Sequence, residues 1–277
     1  MQRKSTDERN KESAAQQKPL GEHIQQSTET VVKEAQQEVA TARVPWYRAI
    51  RRGRTLVIAD TIVLALFALL AWWVYIHPVL AVDVEITREF QETQAPWLYY
   101  TMVAVSYIGN VAWLSAGLIV LAAVIFWIVR LRLEAVMIVV VSATSSILNT
   151  LLKALVGRPR PATNLVEVIQ AAGGKSFPSG HVMSYVAFWG LLFSFGVILF
   201  KGKRWWRVAL LIVPALFVIL IGPSRVYLGD HWASDVLGAY LISGTLLSIA
   251  LWVYLKLKAR GVLAVKKTVQ GQPLENT

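Results

Sequence analysis

Three short segments hold the residues whose types and spacing suit group-transfer chemistry. They are Lys153-Ala154-Leu155-Val156-Gly157-Arg158-Pro159-Arg160-Pro161, then Pro178-Ser179-Gly180-His181, then Ser224-Arg225 followed by His231 and Asp235. Together they offer fixed cations, a turn able to hold an anion, and two histidines, one with a carboxylate four residues on. That set suits cleavage of a phosphate ester without a metal. A lone Lys or Arg at the end of an apolar run ordinarily snorkels to the headgroups. Arg158 and Arg160, however, each precede a proline, which biases the arginine toward extended backbone and stiffens the loop presenting it. The guanidinium is a planar fork matched to two phosphate oxygens, and Lys153 adds a point charge. A rigid basic loop of this kind is a candidate phosphate clamp.

Pro178-Ser179-Gly180-His181 stands directly before an apolar run, so the amides of its turn are expected at a helix N-terminus, where unpaired N–H groups and the dipole favour anions. A plain N-cap is the structural alternative for Ser179. His231 and Asp235, at i and i+4, are expected on one helical face within reach of each other. A carboxylate on one ring nitrogen fixes the tautomer and leaves the other nitrogen to attack phosphorus. Arg225 adds a further phosphate ligand. Asp230 is expected to be a cap or a solvent-facing charge, and His23 and His77 have no comparable surroundings.

The elements that must position these residues are apolar. The 277-residue chain is 55% hydrophobic with eleven tryptophans. Charge-free runs cover Thr61 to Val82, Thr93 to Val129, Ala135 to Leu152, Val182 to Phe200, Val208 to Ser224 and Val236 to Leu255. A crossing helix needs about 20 mostly apolar residues, so an all-α membrane protein of six transmembrane helices is expected. The second run is too long for one crossing; residues 97–109 should form a short helix along the interface, with the second span starting near Val111. The third span is expected over about Glu134 to Lys153, the fifth over about Trp206 to Gly222, and the sixth from Asp230 or His231.

Each of the three segments lies where an apolar run begins or ends, which puts the site at a membrane surface and points to a lipid phosphate. The net charge of +11 gathers in alternate loops: Arg48, Arg51, Arg52 and Arg54; Arg130 and Arg132; Lys201, Lys203, Arg204 and Arg207; and Lys256 to Lys267. The positive-inside rule places those loops, and both termini, in the cytoplasm. The motif-bearing loops are then extracytoplasmic, and no nucleic-acid partner is implied. With no cysteine, disulfides and thiolate metal sites are excluded. Residues 1–44 are polar and expected to be a disordered tail, 45–260 form the membrane domain, and 261–277 a second cytoplasmic tail. The first run is expected to be a retained span rather than a cleaved signal.

With K-x6-RP, PSGH and SR-x5-H-x3-D matched in order from Lys153 to Asp235, the chain resembles the type 2 phosphatidic acid phosphatase family. The resemblance implies that His231 is the nucleophile forming a phosphohistidine, that Asp235 orients it, and that His181 protonates the leaving alkoxide and then activates water. It also implies that Lys153, Arg160, Arg225 and the amides around Ser179 and Gly180 hold the phosphoryl oxygens. Arg158 lies outside the signature, as an auxiliary ligand or a loop charge. No metal or other cofactor is implied. Substrates of the implied class are undecaprenyl diphosphate, phosphatidylglycerol phosphate and phosphatidate, whose phosphates sit at the same depth beside an apolar tail. The alternatives are a phosphotransferase using the same histidine, and a non-catalytic lipid-binding or transport protein. A transporter would carry its polar groups near the midplane. A vanadate-holding haloperoxidase would lack the membrane-length runs. Oligomeric state has no signal in the sequence.

Overall fold

The computed structural model describes residues 46–199 and 205–263. The expected tail of residues 1–44, most of 261–277 and the basic loop at 201–204 lie outside the described residues. Among the described residues eight helices follow one another: α1 Trp46–Ile76, α2 Ala81–Glu92, α3 Pro96–Asn110, α4 Ala112–Ile128, α5 Arg132–Val156, α6 Gly180–Leu199, α7 Trp205–Tyr227 and α8 Ala233–Ala259. A π-helical turn at Val186–Gly190 interrupts α6.

Four helices are long and apolar enough to cross a bilayer: α1 from Gly53, α5, α6 and α8. The run from Thr93 to Val129 divides into α3 and α4, bent by 73° at Val111, and the pair makes a fifth candidate if counted as one broken span. The chain is thus an all-helical polytopic membrane protein with four or five candidate spans. The run expected as the fifth of six spans lies in α7, whose described apolar part, Leu211–Tyr227, is shorter than the four long candidates. Helix α4 is apolar on every side and buries none of its residues; Val120, Leu121, Val124, Ile125, Trp127 and Ile128 are all exposed. A helix that is hydrophobic all round needs an apolar surrounding, which here is lipid.

The first apolar run does not continue to Val82 as one element. Helix α1 stops at Ile76, because His77 precedes Pro78 and is pushed out of the helical region. Helix α2 then turns a polar face inward: Asp83, Thr87 and Gln91, spaced by four, are its buried residues.

Two apolar clusters hold the helices together. One, under the motif-bearing end, joins Phe67, Phe177, Val182, Met183, Tyr185, Ile221, Val226, Val236 and Ala239. The other, toward the opposite end, joins Leu133, Met137, Ile138, Leu191, Phe195, Ala250 and Tyr254. Because α5, α6, α7 and α8 are successive long helices packed on one another, the C-terminal ends of α5 and α7 meet the N-terminal ends of α6 and α8. All three motifs lie at those ends.

Candidate active site

Two turns deliver the basic and histidine residues. Helix α5 ends at Gly157, which takes the left-handed conformation (φ 66°) while its N–H donates to Lys153 O. That cap reverses the chain and sends Arg158 and Arg160 back over the helix ends. After α7, Gly229 is also left-handed (φ 68°), and a Cβ there would lie 2.1 Å from Glu167 O. The turn is closed by Arg225 O, which accepts the N–H groups of Asp230 and His231 at 3.1 and 3.2 Å.

His231 is buried, 1% exposed, and its two ring nitrogens have different neighbours. Nδ1 lies 3.5 Å from Asp235 Oδ2 and 3.4 Å from Ser176 Oγ. Nε2 lies 3.4 Å from Arg160 Nη1. The carboxylate on Nδ1 favours the Nδ1–H tautomer and leaves the Nε2 lone pair directed toward the guanidinium. Burial pushes the His231 pKa down to about 4, helped by Arg160 and Lys153 and opposed by Asp235, so the ring is neutral at pH 7.

The helical-face argument for His231 and Asp235 needs correction. Helix α8 begins only at Ala233, so His231 precedes it. The pair meets because Asp235, in the first turn, folds back over the helix start, where Oδ2 accepts the Trp232 N–H at 3.0 Å. Asp235 is thus a helix-terminal acceptor and the imidazole's partner at once.

Arg225 is fully buried, and its Nη1 donates to Ser106 Oγ at 2.8 Å and Asn110 Oδ1 at 3.2 Å. Arg160 is partly exposed, and its Nε donates to Gly173 O at 3.0 Å. Lys153 Nζ donates to Lys175 O and, at 3.2 Å, to Ser176 O. His181 brings a ring nitrogen within 4.8 Å of ligand atoms of Asp230 and His231. Its Nε2 is buried with no hydrogen-bond partner among the described residues, as are Ser179 Oγ and Arg225 Nε. Ser179 makes no capping bond, which sets aside the plain N-cap reading. Its own N–H donates to Asp235 O at 3.2 Å, so the expectation that this amide faces an anion is corrected: the hydroxyl is the free group. Gly180 is held close against Asn149, whose Oδ1 would lie 3.0 Å from a Cβ there. Buried polar atoms without partners, set among cations and two imidazoles, are suited to receiving an oxyanion.

The profile of the PAP2 superfamily matches residues 134–259. Phosphatidylglycerophosphatase B of Bacillus subtilis is 29% identical over 176 residues, which cover 63% of this chain and 84% of that protein. In fold the chain is similar to the crystal structure of a transmembrane PAP2-type phosphatidylglycerolphosphate phosphatase from Bacillus subtilis, with a TM-score of 0.60 at 24% identity, over 76% of this chain and 98% of that one. The segment that matches the PAP2 superfamily, residues 134–259, holds all three motifs from Lys153 to Asp235. The relatives this chain resembles are phosphatases of lipid phosphates by name, and it shares their polytopic helical fold. Phosphatidylglycerophosphatase B of Escherichia coli K12 is 40% identical over 84 residues, only 31% of that protein. A lipid A 4'-phosphatase of Bacteroides thetaiotaomicron is 28% identical over 174 residues, 72% of that protein.

Around this site stand residues that the motifs do not name. Arg158 is 1% exposed and donates to Pro78 O (2.9 Å), Ser234 Oγ (2.7 Å), Asp235 Oδ1 (2.6 Å) and Asp83 Oδ2 (2.7 Å). It is therefore neither a phosphate ligand nor a loop charge: it holds the far oxygen of Asp235. Asp83, from the inward face of α2, accepts from the Ser234 N–H at 2.8 Å and from Ser234 Oγ at 2.6 Å, closing the network. Ser176 Oγ donates to Asp235 Oδ2. Asp230, expected as a cap or solvent-facing charge, is instead 2% exposed and ion-paired to both Arg160 and Arg225.

His181, Asp230 and His231 are spaced closely enough to share a metal ion. Their surroundings disfavour one, since Asp230 is already ion-paired to two guanidiniums and these three groups together keep a positive charge.

Proposed function

We propose that this protein is a PAP2-type enzyme that dephosphorylates a lipid phosphate monoester or diphosphate through a phosphohistidine on His231. One observation carries the reading: the imidazole has Asp235 on Nδ1 and the Arg160 guanidinium beside Nε2, so the attacking lone pair and a phosphate-binding fork share one side of the ring. Arg160, Arg225, Lys153 and Ser179 Oγ hold the phosphoryl oxygens while charge redistributes in the transition state. His181 Nε2, buried beside this group, gives its proton to the leaving oxygen and then takes one from the attacking water. The P–O bond to the lipid breaks as the P–Nε2 bond forms, and water reverses the latter to release orthophosphate.

Phosphatidylglycerol phosphate is the favoured substrate, supported by likeness to two phosphatidylglycerophosphatases B, with phosphatidate and undecaprenyl diphosphate as competitors. Six spans, with α7 as the fifth and the site on the extracytoplasmic face, fit the alternation of basic and motif-bearing loops. The test is release of orthophosphate by the purified protein in detergent from each of the three lipids, with His231→Ala as the control. Release from phosphatidylglycerol phosphate at the highest kcat/KM, abolished in the variant, is expected. Equal release by the variant overturns the mechanism, and a higher kcat/KM for another lipid overturns the substrate assignment.

A further inference from the structure

Among the described residues Asp230 is the one buried carboxylate in contact with the guanidiniums of Arg160 and Arg225. Its Oδ1 accepts from Arg160 Nη1 at 2.7 Å, the same nitrogen that donates to Asp230 O at 2.7 Å. Its Oδ2 is ion-paired to Arg225 Nη2. On Arg225, Nη1 is already committed to Ser106 and Asn110, so Nη2 and the unpartnered Nε are what the fork can offer an anion. On Arg160, Nε is committed to Gly173 O. The carboxylate therefore sits on one nitrogen of each guanidinium, Arg160 Nη1 and Arg225 Nη2, that a phosphoryl group beside His231 Nε2 could use, and within 4.8 Å of both catalytic imidazoles. In SR-x5-H-x3-D this position is the last of the five unspecified residues, so the motif does not call for a carboxylate there.

We propose that Asp230 is an internal competing anion that sets, and weakens, the affinity of the site for phosphoryl groups. The inference rests on the reading of Arg160 and Arg225 as phosphate ligands. A phosphoryl group brought against both arginines must share them with a buried carboxylate of the same sign, and like charges a few ångströms apart in a poorly solvated site repel strongly. The effect falls hardest on orthophosphate, which carries the most charge and has no apolar tail to offset the repulsion. Three cations, two imidazoles and a hydroxyl without Asp230 would retain the product. With it, the guanidiniums have a partner to return to as phosphate leaves. Asp230 thus acts on product release and on selectivity for lipid-anchored phosphate over free phosphate.

The test is inhibition by orthophosphate in the full-length protein in detergent, comparing wild type with Asp230→Asn, which keeps shape and removes the charge. The Ki for orthophosphate should fall by about tenfold or more, and the KM for lipid phosphate should fall with it. A merely structural role for Asp230 would move both constants upward, because the arginines would lose their alignment. Arg160→Ala and Arg225→Ala are the controls. If neither raises the Ki, the phosphate-ligand reading itself fails. If they raise it while Asp230→Asn leaves the Ki unchanged or higher, that reading stands and the proposal for Asp230 is overturned. Should Asp230→Asn not fold, Asp230→Ala is read the same way, and failure of both to fold would make the carboxylate a structural element and overturn the proposal.

Discussion

Replacing Gly109 with alanine should disable the enzyme at a net stability cost of no more than about 2 to 3 kcal/mol. Gly109 lies near the end of α3, and a Cβ built there would stand 2.3 Å from His181 Cδ2, 3.0 Å from His181 Nε2 and 3.1 Å from Tyr185 Cε2. Carbon atoms pack at about 3.5 to 4.0 Å, so the imidazole must retreat by roughly 1 Å or more. Tyr185 cannot absorb the strain, because its hydroxyl is tied to Val105 O at 2.5 Å and the side chain is buried. The helix gains about 0.5 to 1 kcal/mol from Gly→Ala, which offsets part of an overpacking cost of about 1 to 3 kcal/mol. Displacing a reacting group by about 1 Å can cost on the order of 10²-fold in rate. The assay is kcat for a lipid phosphate and for an activated aryl phosphate, with thermal unfolding in detergent alongside. Because His181 is assigned to protonate the leaving oxygen, the lipid reaction should lose about 10² and the aryl reaction, with its better leaving group, markedly less. A Gly109→Ala protein that keeps more than half its lipid phosphatase activity would refute the close approach and the role built on it.

Three further outcomes are expected. Arg158→Met strands the buried carboxylates of Asp83 and Asp235 and should cost about 3 to 5 kcal/mol in detergent unfolding, with Arg158→Lys recovering little, since an ammonium cannot span four acceptors; a loss below about 1 kcal/mol would show that the network does not hold the fold. Turnover should survive EDTA, because Lys153, Arg160 and Arg225 supply the positive charge; complete loss on chelation, restored by magnesium, would overturn that assignment. A cysteine introduced at Thr163 should react with an impermeant reagent outside intact cells and one at Gly202 should not, and the reverse pattern would put the site on the cytoplasmic face.

The parts of the site legible in the sequence are those whose chemistry demands a residue type at a fixed offset. His231 with Asp235, Arg160 before its proline, and Ser179-Gly180-His181 before an apolar run could be read without coordinates, and the structure gathers His231, Asp235, Arg160, Arg225 and His181 into one place. The supporting shell was not legible, because it is assembled across helices. Asp83 reaches Ser234 over 151 residues, and Arg225 reaches Ser106 over 119. One signal was available for Asp83: a polar stripe of Asp83, Thr87 and Gln91, spaced by four along one short helix. Asp230 was misjudged because a charge beside a loop histidine reads as solvated until two arginines from distant segments are found against it. For the fold, hydropathy located the apolar runs, while the break at His77-Pro78 and the 73° bend at Val111 divided them into more helices than spans.

The central claim is tested most directly by trapping the phosphoenzyme. Wild-type protein mixed with lipid phosphate labelled in the phosphoryl group, and quenched within milliseconds in alkali, where a phosphohistidine survives, should carry label that chases off as orthophosphate. His231→Ala, shown to be folded, should carry none, and His181→Ala should still acquire label from an activated aryl phosphate and lose it slowly. Label retained on His231→Ala, or wild-type turnover in which no label reaches the protein at any quench time, would contradict nucleophilic attack by His231.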